Sequence, residues 1–245
     1  MSVRVAIAKL TVGEHVLERE AAHYLVTVHR LRAGDRFLAF DPESATESDA
    51  VLVEAGARRV VCRLEAPRRA ELLPSFSLTL VQALAKGDKP EQVVRAATAL
   101  GVSEVLLVIA ERSVVRPAQE RSRLERLRAI ALDAARQSGR GDVPRLEGPR
   151  SVDEVFDEWR GRSGRKLCLE PSAATSLLTA LDGWQAEEPV ALLVGPEGGW
   201  SERELGSAEA AGFIPVRLGR LTLRAELAGI AALGAILGVA DENSR

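Results

Sequence analysis

The 245-residue sequence has few of the features that mark membrane-bound, disulfide-bonded or metal-binding proteins. Its uninterrupted apolar runs are far shorter than the ~20 residues that a membrane-spanning helix needs. The N-terminal residues have recurring charges and a short apolar run, which is not the pattern of a secretory signal peptide. The two cysteines, Cys62 and Cys168, lack CxxC spacing and histidine neighbours, so the sequence indicates neither a disulfide framework nor a zinc site. These absences predict a soluble, cytoplasmic protein with no metal and no membrane partner.

Aromatic residues make up 4% of the chain, too few for extended stacking on nucleic-acid bases. Neither a GxxxxGKS/T nor a GxGxxG motif is present, which argues against a P-loop and a plain dinucleotide-binding site. The net charge of −2 is unevenly distributed. Residues 112–150 contain ten basic and five acidic residues, a balance of +5, and residues 151–212 contain five basic and twelve acidic, a balance of −7. A local basic segment is enough to bind phosphates, although the same arginines could simply cover the solvent face of an amphipathic helix.

The pattern of the chain predicts two domains, residues 1–70 and 71–245. In the first, strand formers at residues 3–9, 36–41, 50–55 and 59–64 alternate with turn residues, and only residues 18–30 predict a helix. This is the pattern of a small β-barrel. Residues 67–74 are charged and bounded by prolines, which predicts a linker between the two domains. From residue 75 onward, strand and helix patterns alternate, which predicts an α/β domain with a parallel sheet.

Residues 190–204, with the sequence VALLVGPEGGWSERE, are the most informative segment of the chain. Five apolar residues predict a buried strand, and a loop rich in glycine separates it from a helix start. Ser201 and Glu204 have the spacing of a capping box. Glycine lets a ligand approach the backbone and proline stiffens the loop, and the carboxyl end of a strand is where open α/β sheets bind ligands. The segment therefore predicts a binding site rather than a plain turn.

A second glycine turn follows within thirty residues. Residues 214–218 predict a short strand, Gly219 and Arg220 form the turn, and an alanine-rich helix begins near Arg224. That helix, residues 225–240, is apolar nearly all round, which predicts burial. Its three glycines predict close helix packing, either within one subunit or between two: Gly229, Gly234 and Gly238.

Together the two turns resemble the RsmE family of 16S ribosomal RNA uridine N3-methyltransferases, in the SPOUT superfamily of knotted methyltransferases. The resemblance covers nearly the whole chain, through RLRAGD (residues 30–35), KGDK (86–89), LGV (100–102), ERS (111–113) and QSGR (137–140). It implies an α/β, SPOUT-type knotted parallel-sheet methyltransferase domain with a C-terminal trefoil knot, preceded by a small PUA-like RNA-binding β-barrel. It also implies S-adenosylmethionine as cofactor, 16S rRNA of the small ribosomal subunit as partner, and a homodimer through the C-terminal domain.

The same resemblance implies the site residues. Three strand-end loops would hold the cofactor: Leu169, Glu170 and Pro171; Val194, Gly195, Pro196, Glu197, Gly198 and Gly199; Leu218, Gly219, Leu221 and Leu223. Because the uracil nitrogen must lose a proton, a nearby cation would stabilise the developing anion. Arg224 is the candidate cation and Glu197 the candidate proton acceptor, although either could instead be a helix-end or turn-capping charge. The candidate RNA contacts are Arg30, Arg32, Lys86, Arg112, Gln137 and Arg140.

The chain departs from the family pattern just after Arg224. Where relatives commonly have Thr-Glu-Thr, this sequence has Ala225, Glu226 and Leu227. The loss of two hydroxyl groups could reshape the pocket for the target base without changing the cofactor slot. Two alternatives therefore stay open, a SPOUT methyltransferase that acts on another RNA position and a non-catalytic RNA-binding or ribosome-assembly protein.

Overall fold

The computed structural model describes residues 3–56, 59–85, 87–113 and 120–243, and the chain divides into two compact units. The first unit consists of Met1–Leu73 with Leu132–Val143, and the second of Pro74–Ala131 with Pro144–Arg245. Residues 132–143 belong to the first unit because they contact residues of its first segment. The Arg136 guanidinium lies 4.2 Å from the ring centroid of Tyr24, and the N–H of Gly141 donates to the carbonyl of Leu72.

The first unit is built on a six-stranded sheet, mostly antiparallel. Its strands are β1 (Arg4–Ala6), β2 (Gly13–Val16), β3 (Arg36–Asp41), β4 (Thr46–Ala55), β5 (Val60–Leu64) and β6 (Arg68–Arg69). The order is β1-β3-β4-β5-β2, with β6 beside β4, and β1 is parallel to β3. A short helix, α1 (Arg19–His23), continues into a π-helical turn, Tyr24–Val28, whose Leu25 is buried in the core. The sequence pattern does not reveal β2 or β6, because both are short and polar.

The second unit contains a parallel six-stranded sheet. Its strands are β7 (Leu78–Ala83), β8 (Glu104–Ile109), β9 (Arg145–Ser151), β10 (Arg165–Leu169), β11 (Val190–Val194) and β12 (Ile214–Val216). The order across the sheet is β12-β10-β11-β7-β8-β9. Every pairing in this order is parallel, and parallel neighbours need crossover connections. The predicted α/β class with a parallel sheet is confirmed.

Helices cover both faces of this sheet. Among the described residues these helices are α2 (Lys89–Ala99), α3 (Glu120–Ser138), α4 (Val152–Trp159), α5 (Leu177–Ala180), α6 (Glu202–Ala210) and α7 (Ala225–Asn243), and the end of α3 from Leu132 onward belongs to the first unit. One buried cluster includes side chains of α2, α3, α5 and α7, and a second includes side chains of α4 and α6. In β7, Leu80 belongs to the first cluster and the next residue, Val81, to the second. Burial on both faces explains the continuous apolar runs of these strands.

Helix α7 has two different faces. On one face, a Cβ on Gly229 would lie 3.3 Å from Gln82 Oε1 and 3.5 Å from Val194 Cγ2, so this glycine allows the predicted close packing on β7 and β11. On the other face, Gly234 and Gly238 have nothing within 4 Å of a Cβ. Burial all round the helix is wrong for the single chain, because one stripe of small and apolar residues is exposed: Leu227, Ala231, Gly234 and Gly238.

None of the helices in residues 3–56, 59–85, 87–113 and 120–243 combines the length and apolar character that a bilayer crossing needs. The described part of the chain also contains no group of three or more His, Cys, Asp or Glu side chains that could hold a metal ion. Cys62 and Cys168 are free thiols, and both are buried. Burial raises the pKa of the Cys62 thiol to about 11 and also raises the pKa of Cys168.

Candidate functional site

The three predicted loops begin at one edge of the parallel sheet. Strand β10 lies between β11 and β12. Cys168 pairs in register with Leu193, and Leu169 with Val216. Since all three strands are parallel, the residues after Leu169, Val194 and Val216 leave the sheet at the same carboxyl edge. The structure therefore brings together the starts of the loops predicted to hold the cofactor, at the edge where such sheets bind ligands.

The glycine loop, residues 195–199, has a fixed shape. The N–H of Gly199 donates to the Pro196 carbonyl over 2.9 Å, and Gly199 has a φ of +69°, a conformation that favours glycine. A Cβ on Gly195 would lie 3.0 Å from the indole ring of Trp200, so a larger residue there would displace the ring. Trp200 is buried. Its indole is thus core packing beside the loop and not a platform for a base.

The helix after this loop begins with the predicted capping box. The Ser201 hydroxyl accepts the Glu204 N–H, and Glu204 Oε2 accepts the Ser201 N–H over 3.0 Å. The Glu204 side chain is fully buried, and its second oxygen, Oε1, accepts the N–H of Glu111 over 2.7 Å. Glu204 therefore connects the start of α6 to the loop after β8, a contact that the sequence does not reveal.

Arg112, a predicted RNA contact, packs against the glycine loop. Its Nη1 donates to the Gly198 carbonyl over 2.8 Å, and a Cβ on Gly198 would lie 3.1 Å from the Cβ of Arg112. Glycine at position 198 therefore leaves the room that Arg112 occupies. The Arg112 side chain is exposed. Its contact with RNA stays a prediction.

The loops after β10 and β12 are bonded to each other. The N–H of Glu170 donates to the Val216 carbonyl over 2.9 Å. Arg217, the residue after β12, donates from Nη1 to the carbonyls of Ala173 and Ala174. These bonds fix the position of the Glu170–Pro171 turn, in which Pro171 is exposed. Sequence reasoning missed Arg217, because its partners lie more than forty residues away.

The second glycine turn is open to solvent. Leu218 and Leu223 are half-buried, Gly219 is exposed, and Leu221 is 83% exposed. Arg224 follows with an exposed side chain, while its carbonyl accepts the N–H groups of residues 227 and 228 at the start of α7. The turn therefore presents an apolar side chain and an arginine within four residues, next to the carboxyl edge of the sheet.

Lys89 joins the candidate proton acceptor to the last helix. Its Nζ lies 3.0 Å from Glu197 Oε1 and 3.4 Å from Glu226 Oε2. The hydrogen bond to Glu197 is the main reason that the pKa of Lys89 is raised above its ordinary value. We call these three residues the Lys89 cluster. The sequence contains a hint of it, since Lys89 belongs to the KGDK motif, but the spacing does not show which acids it meets.

The predicted RNA contacts have different surroundings. In the first unit, Arg30 and Arg32 are exposed, and so is Gln137, whose Nε2 donates to Asp133. Arg140 is only 5% exposed, and its guanidinium donates to both carboxylate oxygens of Asp142. This burial argues against direct contact between the Arg140 side chain and RNA. Lys86 lies outside the described residues.

Gln82 is a further polar residue at this edge. It lies opposite Val194 in register and is 2% exposed. Its Nε2 donates to the Ala83 carbonyl, whereas its Oε1 has no hydrogen-bond partner among the described residues. Because Gln82 pairs in register with Val194 in a parallel sheet, the carboxyl end of β7 lies at the same edge as the glycine loop.

Comparison with known proteins identifies the family of both units. An RNA methyltransferase domain model matches residues 72–237, and an RNA methyltransferase PUA domain model matches residues 17–65. The ribosomal RNA small subunit methyltransferase E of Synechocystis sp. is 31% identical over 96% of this chain and 77% of its own length. The protein of the same name from Mycobacterium bovis is 32% identical over 90% and 85%.

Solved structures agree with the sequence relatives. The ribosomal RNA small subunit methyltransferase E of Neisseria gonorrhoeae, crystallised with S-adenosylmethionine, has a TM-score of 0.88 with 29% identity, covering 98% of each chain. A Legionella pneumophila methyltransferase, also with bound S-adenosylmethionine, has a TM-score of 0.87 with 28% identity, covering 98% of each chain. The predicted SPOUT methyltransferase fold with an N-terminal PUA domain is confirmed. The chain belongs to the RsmE family of SPOUT RNA methyltransferases.

Proposed function

We propose that this protein transfers the methyl group of S-adenosylmethionine to N3 of a uridine in the 16S rRNA of the small ribosomal subunit. One observation carries the proposal. Three loops that begin at Leu169, Val194 and Val216 share the carboxyl edge of the sheet, and the loop after Val194 is the rigid glycine loop. Relatives with the same fold are named for small-subunit rRNA methylation, and one was crystallised with this cofactor. The cytoplasm, where ribosomal subunits are found, is the proposed location.

The residues at this edge suit the cofactor. Leu221 offers exposed apolar surface to an adenine ring, and Gly219 has open space where a side chain would be. Contacts with Arg112 and Trp200 fix the backbone of the glycine loop, so the loop can present a preformed surface to a ligand. We assign the cofactor contacts to the three segments predicted from the sequence: residues 169–171, 194–199 and 218–223.

S-adenosylmethionine supplies an electrophilic methyl carbon next to a sulfonium. The protein has to orient the uracil ring and manage one proton and one charge. N3 would give up its proton, and the electron pair left on nitrogen would form the new N–C bond; the bound cofactor would supply the methyl carbon and keep the C–S bonding pair on its sulfur. We assign stabilisation of the developing uracil anion to Arg224 and acceptance of the proton, directly or through water, to Glu197.

Binding of the RNA is assigned to exposed basic and amide side chains. Arg30, Arg32 and Gln137 are exposed in the first unit and can contact phosphates or a base edge. The match of residues 17–65 to a PUA domain of RNA methyltransferases supports this role for the first unit. We propose the domain boundaries of the sequence prediction, residues 1–70 and 71–245, except that residues 132–143 belong to the first compact unit. The trefoil knot is proposed for the second domain.

We also propose that the protein is a homodimer through α7. The stripe of Leu227, Ala231, Gly234 and Gly238 is exposed, and small residues let a second helix approach closely. The fold of one subunit can accommodate Gly238→Arg, because nothing lies within 4 Å of a Cβ at this position. This substitution should convert the dimer to a folded monomer, as measured by light scattering after size-exclusion chromatography.

Gly206→Arg is the matched control for the dimer prediction. Gly206 is an exposed glycine of α6 with open space at its Cβ, and it lies outside the α7 stripe. The control should keep the mass of the wild-type protein. A wild-type monomer, or a Gly238→Arg protein that remains dimeric, would contradict the assignment of this face.

A methyl-transfer assay tests the proposed activity. Purified protein is incubated with S-adenosylmethionine labelled in its methyl group and with small ribosomal subunits from a strain that lacks this gene. The methylated position is mapped by reverse transcription, because a methyl group on N3 of uridine removes a base-pairing donor and stops the polymerase. Incorporation at a single uridine is the expected result. Labelling at another kind of nucleotide would favour a different RNA target, and binding of RNA without any labelling would favour a non-catalytic protein.

A further inference from the structure

We infer that Lys89 is a positioning residue for methyl transfer, because it fixes the glycine loop and the first turn of α7 in one arrangement. The inference rests on the proposed function, in which Glu197 and Arg224 act on the uracil. The effect of Lys89 on Arg224 and on the glycine loop passes through two carboxylates, Glu197 and Glu226.

The geometry of the Lys89 cluster connects three separate elements. Lys89 is the first residue of α2, Glu197 is in the glycine loop, and Glu226 is the second residue of α7. The Lys89 and Glu226 side chains are 27% and 13% exposed. Solvent and salt therefore screen their attraction less than they would screen a fully exposed ion pair. One ammonium group therefore lies within 3.4 Å of carboxylate oxygens from two elements, the glycine loop and α7.

The position of Lys89 is unfavourable for a cation unless these acids are present. The N-terminus of a helix carries a partial positive charge, so anions are preferred in the first turn of α2. Without the ammonium, Glu197 and Glu226 would also be two like charges near each other. The two carboxylates offset the helix field on Lys89, and Lys89 offsets the repulsion between them. Each member of the cluster thus depends on the others.

Arg224 is affected because it lies at the start of α7. The Arg224 carbonyl accepts the N–H groups of Leu227 and Ala228, over 3.0 and 2.8 Å, so its backbone forms the first turn of the helix together with Glu226. A bond that holds Glu226 therefore also restricts the backbone from which the Arg224 side chain extends. Correct geometry of a charged group at the reacting atoms is a large part of catalysis.

Amide hydrogen exchange, measured by mass spectrometry, tests the positioning directly and needs no activity. In Lys89→Met, peptides covering residues 195–199 and 225–228 should exchange at least about tenfold faster than in the wild-type protein. Lys89→Arg, which can pair with both carboxylates, should restore protection. Arg95→Met, an exposed cation on the same helix, is the matched control and should behave as wild type. Unchanged exchange in Lys89→Met at both segments would overturn the inference.

A double-mutant cycle tests the catalytic part. Lys89→Met should lower kcat by about tenfold or more, and the double variant Lys89→Met with Arg224→Ala should lose about as much as Arg224→Ala alone. If the loss of kcat in the double variant equals the product of the two single losses, Lys89 does not act through Arg224, and the catalytic part of the inference is overturned. If the wild-type protein methylates no RNA, the proposed function fails, while the exchange result still decides whether Lys89 fixes the two segments. Should Lys89→Met not fold, Glu226→Gln gives the same readout at residues 225–228.

Discussion

Replacing Arg224 by alanine should lower the rate of methyl transfer by about 10²–10³-fold, while leaving the affinity for S-adenosylmethionine within about threefold of the wild-type value. The reason is that a guanidinium that stabilises the uracil anion acts in the transition state and touches the cofactor little. Arg224 is exposed, and its backbone, not its side chain, forms the first turn of α7. Truncation of the side chain should therefore not disturb the fold.

Two variants sharpen the Arg224 prediction. Arg224→Lys keeps the positive charge and should recover part of the rate, since a point charge replaces the planar guanidinium. Arg95→Ala removes an exposed arginine elsewhere in the same unit and should have no effect on kcat. Single-turnover rates and calorimetric binding of the cofactor provide the two readouts. A wild-type rate in Arg224→Ala would remove Arg224 from the reaction, and loss of cofactor binding would show that the side chain serves the cofactor instead.

Glu204→Ala should destabilise the protein by about 3–5 kcal/mol, because the buried carboxylate accepts two backbone N–H groups that would lose their partners. Those groups belong to Glu111 and Ser201, at distances of 2.7 and 3.0 Å. The loss is large compared with the total stability of a typical protein, about 5–15 kcal/mol. Chemical denaturation followed by tryptophan fluorescence measures it. Because Glu204 connects the start of α6 to the loop after β8, cofactor affinity should fall as well.

Two further variants separate the role of Glu204 from a general effect of its helix. Glu204→Gln keeps one acceptor oxygen and should cost about 1–2 kcal/mol, less than the alanine variant. Glu209→Ala removes an exposed acid from the same helix and should change the free energy of unfolding by no more than about 0.5 kcal/mol. Equal losses in Glu204→Ala and Glu209→Ala would contradict the buried connection.

Local patterns in the sequence predict much of the fold. Strand Val190–Val194 has its predicted bounds, because an apolar run that ends at a glycine loop has well-defined ends. The capping box of Ser201 and Glu204 is present, since it needs only residues three apart. By contrast, the sequence pattern does not reveal strand Arg145–Ser151, whose charged residues and Gly-Pro pair hide its β character. That strand is identified only by its pairing with Glu104–Ile109.

Contacts between residues distant in sequence explain what the sequence could not predict in the candidate site. The sequence shows that Lys89 lies in a motif, but its acids are more than one hundred residues away. Arg140 also has a basic side chain in a family motif, yet it is buried with Asp142. Side-chain type predicts the chemistry that a residue can perform, whereas the packing of other elements decides which partner it has and whether solvent reaches it.

Methylation of a uridine N3 with the help of Arg224 is tested by methyl transfer from labelled S-adenosylmethionine to small ribosomal subunits from a strain lacking this gene. The rates of the wild type and Arg224→Ala are compared. We expect about one methyl group per subunit, on N3 of one uridine, for the wild type and a loss of about 10²–10³-fold in rate for the variant. Absence of transfer by the wild-type protein, or methylation of a group other than uridine N3, would contradict the proposed function.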